Sequence, residues 1–84
     1  MTPKIQFMVL VSSYLVACGR LNAWQHVKRA REIPDHYFSS VHESFIEPYA
    51  FEFVRWAVGD GPRPLWLPLN DAEQRIETSR TKGR

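Results

Sequence analysis

The densest run of apolar positions lies at the start of the chain, Ile5-Gln6-Phe7-Met8-Val9-Leu10-Val11-Ser12-Ser13-Tyr14-Leu15-Val16-Ala17-Cys18. Gln6, Ser12 and Ser13 interrupt it, and Gln6, Ser13 and Arg20 recur at sevens, so a helix would keep one narrow polar stripe. Its boundaries are marked. Thr2 suits an N-cap, Pro3 suits the first helical position, where a missing N–H costs nothing, and Gly19 suits the left-handed residue past the end. The pattern therefore predicts a helix from Pro3 to Ala17 with Cys18 shielded and Leu10 and Leu15 in the core. A helix apolar on most sides must be covered by neighbours or by a partner. The alternation of Phe7, Val9 and Val11 supports a competing strand from Lys4 to Ser12.

A second helix, Ala23 to Ile33, follows from a capping box of Asn22 with Gln25 and from Ala23, Val27 and Ala30 on one face. Gln25, Lys28, Arg29 and Glu32 fall on the opposite face. Pro34 ends that helix and can start a third, Asp35 to Phe45, with apolar positions at Tyr37, Phe38, Val41 and Phe45. Pro48 and Gly59 bracket a fourth, Tyr49 to Val58, on which Glu52 and Arg55 can pair. The alternative over residues 49–69 is a hairpin turning at Gly59-Asp60-Gly61-Pro62, with Pro64 and Pro68 confining its second strand to an edge. In the helical reading Pro62 to Leu69 is extended, Asn70 with Glu73 caps a short polar helix to about Thr78, and residues 80–84 form a basic frayed tail.

Eighty-four residues make one domain, here residues 1–79, with a limited core. Eleven basic and nine acidic side chains leave a net charge of +2, too balanced to argue alone for nucleic acid. One cysteine excludes an internal disulfide and fits a reducing, cytoplasmic setting. The fold class expected is mostly α, a compact single domain of about four helices with an extended Pro-rich C-terminal arm; the alternative is α+β with a C-terminal hairpin.

Leu15-Val16-Ala17-Cys18 resembles the lipobox of bacterial lipoproteins, in which the cysteine is lipidated after cleavage. That resemblance implies a small lipoprotein carrying lipid on Cys18. Against it, Lys4 alone supplies positive charge before the apolar centre. The run is also shorter than the roughly 20 apolar residues of a membrane span.

The chemistry-bearing residues do not form a catalytic motif. Cys18, His26, His36 and His42 lack the close spacing of a zinc module. Gly59-Asp60-Gly61 does not match a phosphate loop, and Glu43, Glu47 and Glu52 are explained as solvated helix charges. The expectation is a non-enzymatic protein with no cofactor or metal.

Two binding features remain. Gly19-Arg20-Leu21 between an apolar and a capped basic helix resembles a helix-turn-helix in outline, which implies nucleic-acid contacts from Gln25, Lys28 and Arg29. A solvated charged face explains the same residues. The second feature is the strip Arg63-Pro64-Leu65-Trp66-Leu67, apolar and bounded by prolines, in a half of the chain rich in aromatics. Trp66, Leu65, Leu67 and Arg63 are therefore the expected contacts to a larger protein partner, or to a second copy of the chain. The lead function is an inhibitor, adaptor or assembly subunit, the role of many small phage-type accessory proteins. The alternatives are a DNA-binding regulator and the lipoprotein.

Overall fold

In a computed structural model, which describes residues 1–19 and 24–82, the first apolar run is a helix, α1, Pro3–Ala17. Thr2 caps it through its hydroxyl, which accepts the Ile5 N–H at 3.2 Å, and Pro3 occupies the first turn. At the far end Gly19 takes φ +72° and donates its N–H to the Val16 carbonyl. The remaining elements are α2, Trp24–Arg31; α3, Asp35–Ser39; a 3-10 turn, Glu43–Phe45; α4, Ile46–Ala57; and α5, Asp71–Lys82. The fold is thus mostly α, and among the described residues there is no strand, so residues 4–12 and 49–57 are helical; residues 62–69, expected to be extended, instead turn back at 64–67, where the Leu67 N–H bonds the Pro64 carbonyl.

Four boundaries move by two residues or more, the first being the end of the second helix, at Arg31 instead of Ile33. The third helix stops at Ser39 instead of running to Phe45. Its last serines turn back on it: Ser39 Oγ donates to the His36 carbonyl at 2.6 Å and Ser40 Oγ to the Tyr37 carbonyl at 3.2 Å. Such bonds compete with helix propagation. His42 then opens the 3-10 turn by accepting the Ser44 N–H on Nδ1 at 3.1 Å. The fourth helix starts at Ile46 and carries Pro48 inside its first turn, where the lost N–H is one the helix cannot use. The last helix runs to Lys82, beyond Thr78. Its capping box forms as expected: Asn70 Oδ1 accepts the Glu73 N–H at 2.8 Å, and Glu73 Oε1 accepts the Asn70 N–H at 2.9 Å. The corresponding box at Asn22 lies outside the described residues.

α4 ends in a Schellman motif. Gly59, φ +82°, donates to the Trp56 carbonyl at 3.0 Å, and Asp60 donates to the Arg55 carbonyl at 2.8 Å. Arg55 bends forward to this turn, giving Nη2 to the Asp60 carbonyl at 3.0 Å rather than pairing with Glu52.

The core sits between α1 and α4. α1 contributes Phe7, Val11 and Leu15, one residue per turn, and α4 contributes Ile46, Ala50, Phe53 and Val54. Ala30 of α2, Ile33, Phe38 of α3 and Leu67 of the arm close it. Phe7 is the centre. Its ring lies 4.9 Å from Phe38, 5.7 Å from Phe53 at 76°, and 6.0 Å from Trp66 at 90°. At the start of α1, Lys4 Nζ donates to the Arg31 carbonyl at 2.6 Å and to Asp35 Oδ1 at 2.9 Å, fastening α1 to the turn between α2 and α3.

Only one face of α1 is covered. Ile5, Val9 and Val16 are exposed on the other side, and Leu10 is half-buried rather than fully enclosed. Cys18, expected to be shielded, is exposed, because the C-cap position turns it away as the helix ends.

Phe7→Ala is expected to lower stability by about 3–5 kcal/mol, since it empties the point where four elements meet. Val16→Ala on the same helix should change it by less than about 0.5 kcal/mol. Urea unfolding followed by tryptophan fluorescence measures both.

Candidate functional site

The strip expected to contact a partner is a turn fixed at both ends. Pro64 and Leu67 are buried, and the Leu67 N–H donates back to the Pro64 carbonyl at 3.3 Å. Arg63 closes the turn from outside, with Nη2 donating to the Leu67 carbonyl at 2.6 Å. The Tyr37 hydroxyl donates to the Trp66 carbonyl. Burial, and then the neighbouring Tyr49, push the Tyr37 phenol above its usual value.

These anchors sort the four residues. Leu67 is 3% exposed and belongs to the core. Arg63 is half-buried and spends its guanidinium on the turn. Trp66 is half-buried, with one ring face stacked on Tyr49 at 4.2 Å and 7°. Leu65 is 101% exposed and is held out from the globule by its buried neighbours.

A row of aromatic rings leads outward from Trp66. Tyr49 stacks on it, and Phe45 follows at 6.1 Å from Tyr49 and is itself 52% exposed. Phe45 and Tyr49 are four apart, the spacing of one helical face, but this register is legible only if α4 begins before Pro48. Trp66, Tyr49 and Phe45 thus form a partly exposed aromatic surface near the base of the Leu65 turn.

The basic residues of α2 are divided. Gln25 and Lys28 are exposed, with Lys28 Nζ 5.9 Å from the Trp24 ring centre. Arg29 points inward, only 13% of its side chain exposed. Its Nη2 donates to the Pro68 carbonyl at 2.5 Å and to Glu73 Oε1 at 2.7 Å. Arg29 therefore ties the arm and α5 to α2 and is not free for a phosphate. Local periodicity gives no signal for this role, because its partners lie 39 and 44 residues away. The turn from Arg20 to Ala23, which would set the angle of a helix-turn-helix, lies outside the described residues.

Among the described residues no group of three or more His, Cys, Asp or Glu side chains is placed to hold a metal ion. None of their helices is long and apolar enough to cross a membrane. No protein-family model matches the chain, and no curated protein or solved structure matches it.

The Arg29–Glu73 clamp carries a pH dependence. Burial works to raise the Glu73 carboxyl, but the Asn70 N–H bond, the Arg29 bond and charge, and the Arg63 charge outweigh it and hold the group below its usual value of 4.5. A depressed folded value means the contribution to stability is full above 4.5 and is lost as pH falls through the folded value. Wild-type protein should therefore lose its stability advantage over Glu73→Gln as pH drops from 6 to about 3. Paired urea titrations across that range measure it.

Proposed function

We propose that this chain is a small non-enzymatic binding protein that engages a larger protein, as an inhibitor, adaptor or assembly subunit, in a reducing cytoplasmic setting. The observation that carries this reading is Leu65, an entire aliphatic side chain held in solvent on a turn whose two flanks are buried. One exposed leucine is ordinary on a protein surface. A leucine on a turn already fixed by Pro64, Leu67, Arg63 and the Tyr37 bond differs, because little ordering entropy is left to lose on docking. The aromatic row Phe45, Tyr49 and Trp66 supplies the ring surfaces that dominate protein interfaces. A single free thiol at Cys18 supports the reducing setting.

Arg63 and Leu67 shape the surface in this reading, and Leu65, Trp66, Tyr49 and Phe45 touch the partner. Leu65 is the cleanest probe, since its removal uncovers nothing. Affinity purification from native cells should recover a protein partner, and the recovered partner should bind Leu65→Asp at least about tenfold more weakly than wild type, with Phe45→Ala also weakened. Both variants should keep the wild-type circular dichroism and unfolding midpoint. Recovery of nucleic acid without protein, or a partner indifferent to both substitutions, would remove the reading.

A further inference from the structure

A separate groove lies where the last turns of α1 face the first turns of α4. Tyr14, Ser44, Glu47, Pro48 and Phe51 line about 620 Å³ of open space. Tyr14 and Phe51 meet edge to face, with centroids 5.9 Å apart and planes at 85°. Two rings in a T leave a corner walled by a face of each. Ring faces carry the negative end of the aromatic quadrupole, so such a corner favours a cation.

The charge in the groove has the matching sign. Glu47 lines it, and burial first, then the Glu47 charge, push the Tyr14 phenol above its usual value. An anion there would meet Glu47, and a purely apolar group would strip water from that carboxylate without replacing it. Phe51 already has one guanidinium beside its ring, one turn along α4. The Arg55 guanidinium carbon lies 5.9 Å from its centre. Half of Phe51 remains exposed.

We propose that the Tyr14–Phe51 corner, with Glu47 at its rim, receives an arginine side chain from a protein partner. This rests on the protein-binding reading above but uses a different face of the molecule. Arginine fits better than lysine because its planar guanidinium stacks on ring faces while its fork of N–H groups meets a carboxylate.

The test is titration of the full chain with acetyl-Gly-Arg-Gly-amide, following the ring resonances of Tyr14 and Phe51 by NMR. The expected result is a saturable shift of both. The same peptide with citrulline in place of arginine, which keeps the shape and loses the charge, should bind at least about tenfold more weakly. Glu47→Gln should weaken the arginine peptide to a similar degree. Glu47 is exposed, and unchanged backbone resonances would confirm that the variant folds. Phe51→Leu gives a second test that keeps an apolar side chain and removes the ring. No saturable shift, equal binding of the citrulline peptide, equal binding of a lysine peptide, or indifference to Glu47→Gln and Phe51→Leu would each overturn the arginine site. If the peptide fails while a native partner still binds in a Leu65-dependent way, the groove falls and the protein-binding reading stands. If the peptide saturates but no partner is recovered, the groove stands and the Leu65 surface falls.

Discussion

The ring of Phe7 is the contact on which the other elements depend. It touches Phe38, Phe53 and Trp66, which belong to α3, α4 and the C-terminal arm. A small domain has few buried side chains, so one that joins four segments carries a large share of the cooperativity. The angles matter too. Phe53 and Trp66 present themselves near 76° and 90° to Phe7, the edge-to-face arrangement that adds to simple area burial. Val11 and Leu15 extend the same stripe along α1, and Lys4 pins its first turn to Asp35 and Arg31.

The candidate surface is an outgrowth of that core. Trp66 touches Phe7 on one side and Tyr49 on another, so the position of the arm is set by the same rings that hold α1. Leu65 is exposed because both its neighbours are engaged, Pro64 buried and Trp66 stacked. Below this turn the chain meets Arg29, which binds the Pro68 carbonyl and Glu73 together. The side chains described on α5 beyond Glu73, including Ile76, are exposed. The contacts described for α5 are thus mainly polar, while the Leu65 turn is held by the burial of Pro64 and Leu67 together with the Arg63 and Tyr37 hydrogen bonds. Loosening α5 need not move Leu65.

The sequence marked helices well where capping signals and periodicity agreed. Thr2, Pro3 and Gly19 bound α1, Asn70 with Glu73 opens α5, and the geometry of each cap is the expected one. It misled where a residue has two meanings. Pro48 reads as a helix start, but it sits within a first turn that began at Ile46. That shift hid Phe45 and Tyr49 as neighbours on one face. Ser39 and Ser40 fall inside the third helix as expected from Asp35 to Phe45, and their exposed hydroxyls bond back on the chain where the helix ends. The site residues were legible only as a strip. Which of Arg63, Leu65, Trp66 and Leu67 faces out is decided by Tyr37, Tyr49 and Phe7, all distant in the chain.

α1 is almost uniformly apolar, so its composition cannot say which face is buried; the neighbours decide. α4 has a clear apolar face at Ile46, Ala50, Phe53 and Val54, and it selects Phe7, Val11 and Leu15 from a helix that offers apolar side chains nearly all round. Ile5, Val9 and Val16 are left in water as a consequence. The same selection bears on the lipobox-like Leu15-Val16-Ala17-Cys18. Cleavage before Cys18 would take away Phe7, Val11 and Leu15 together, leaving Phe38, Phe53 and Trp66 without the ring they share. The α1–α4 core and a lipid-bearing Cys18 at a new N-terminus are therefore mutually exclusive states of this chain.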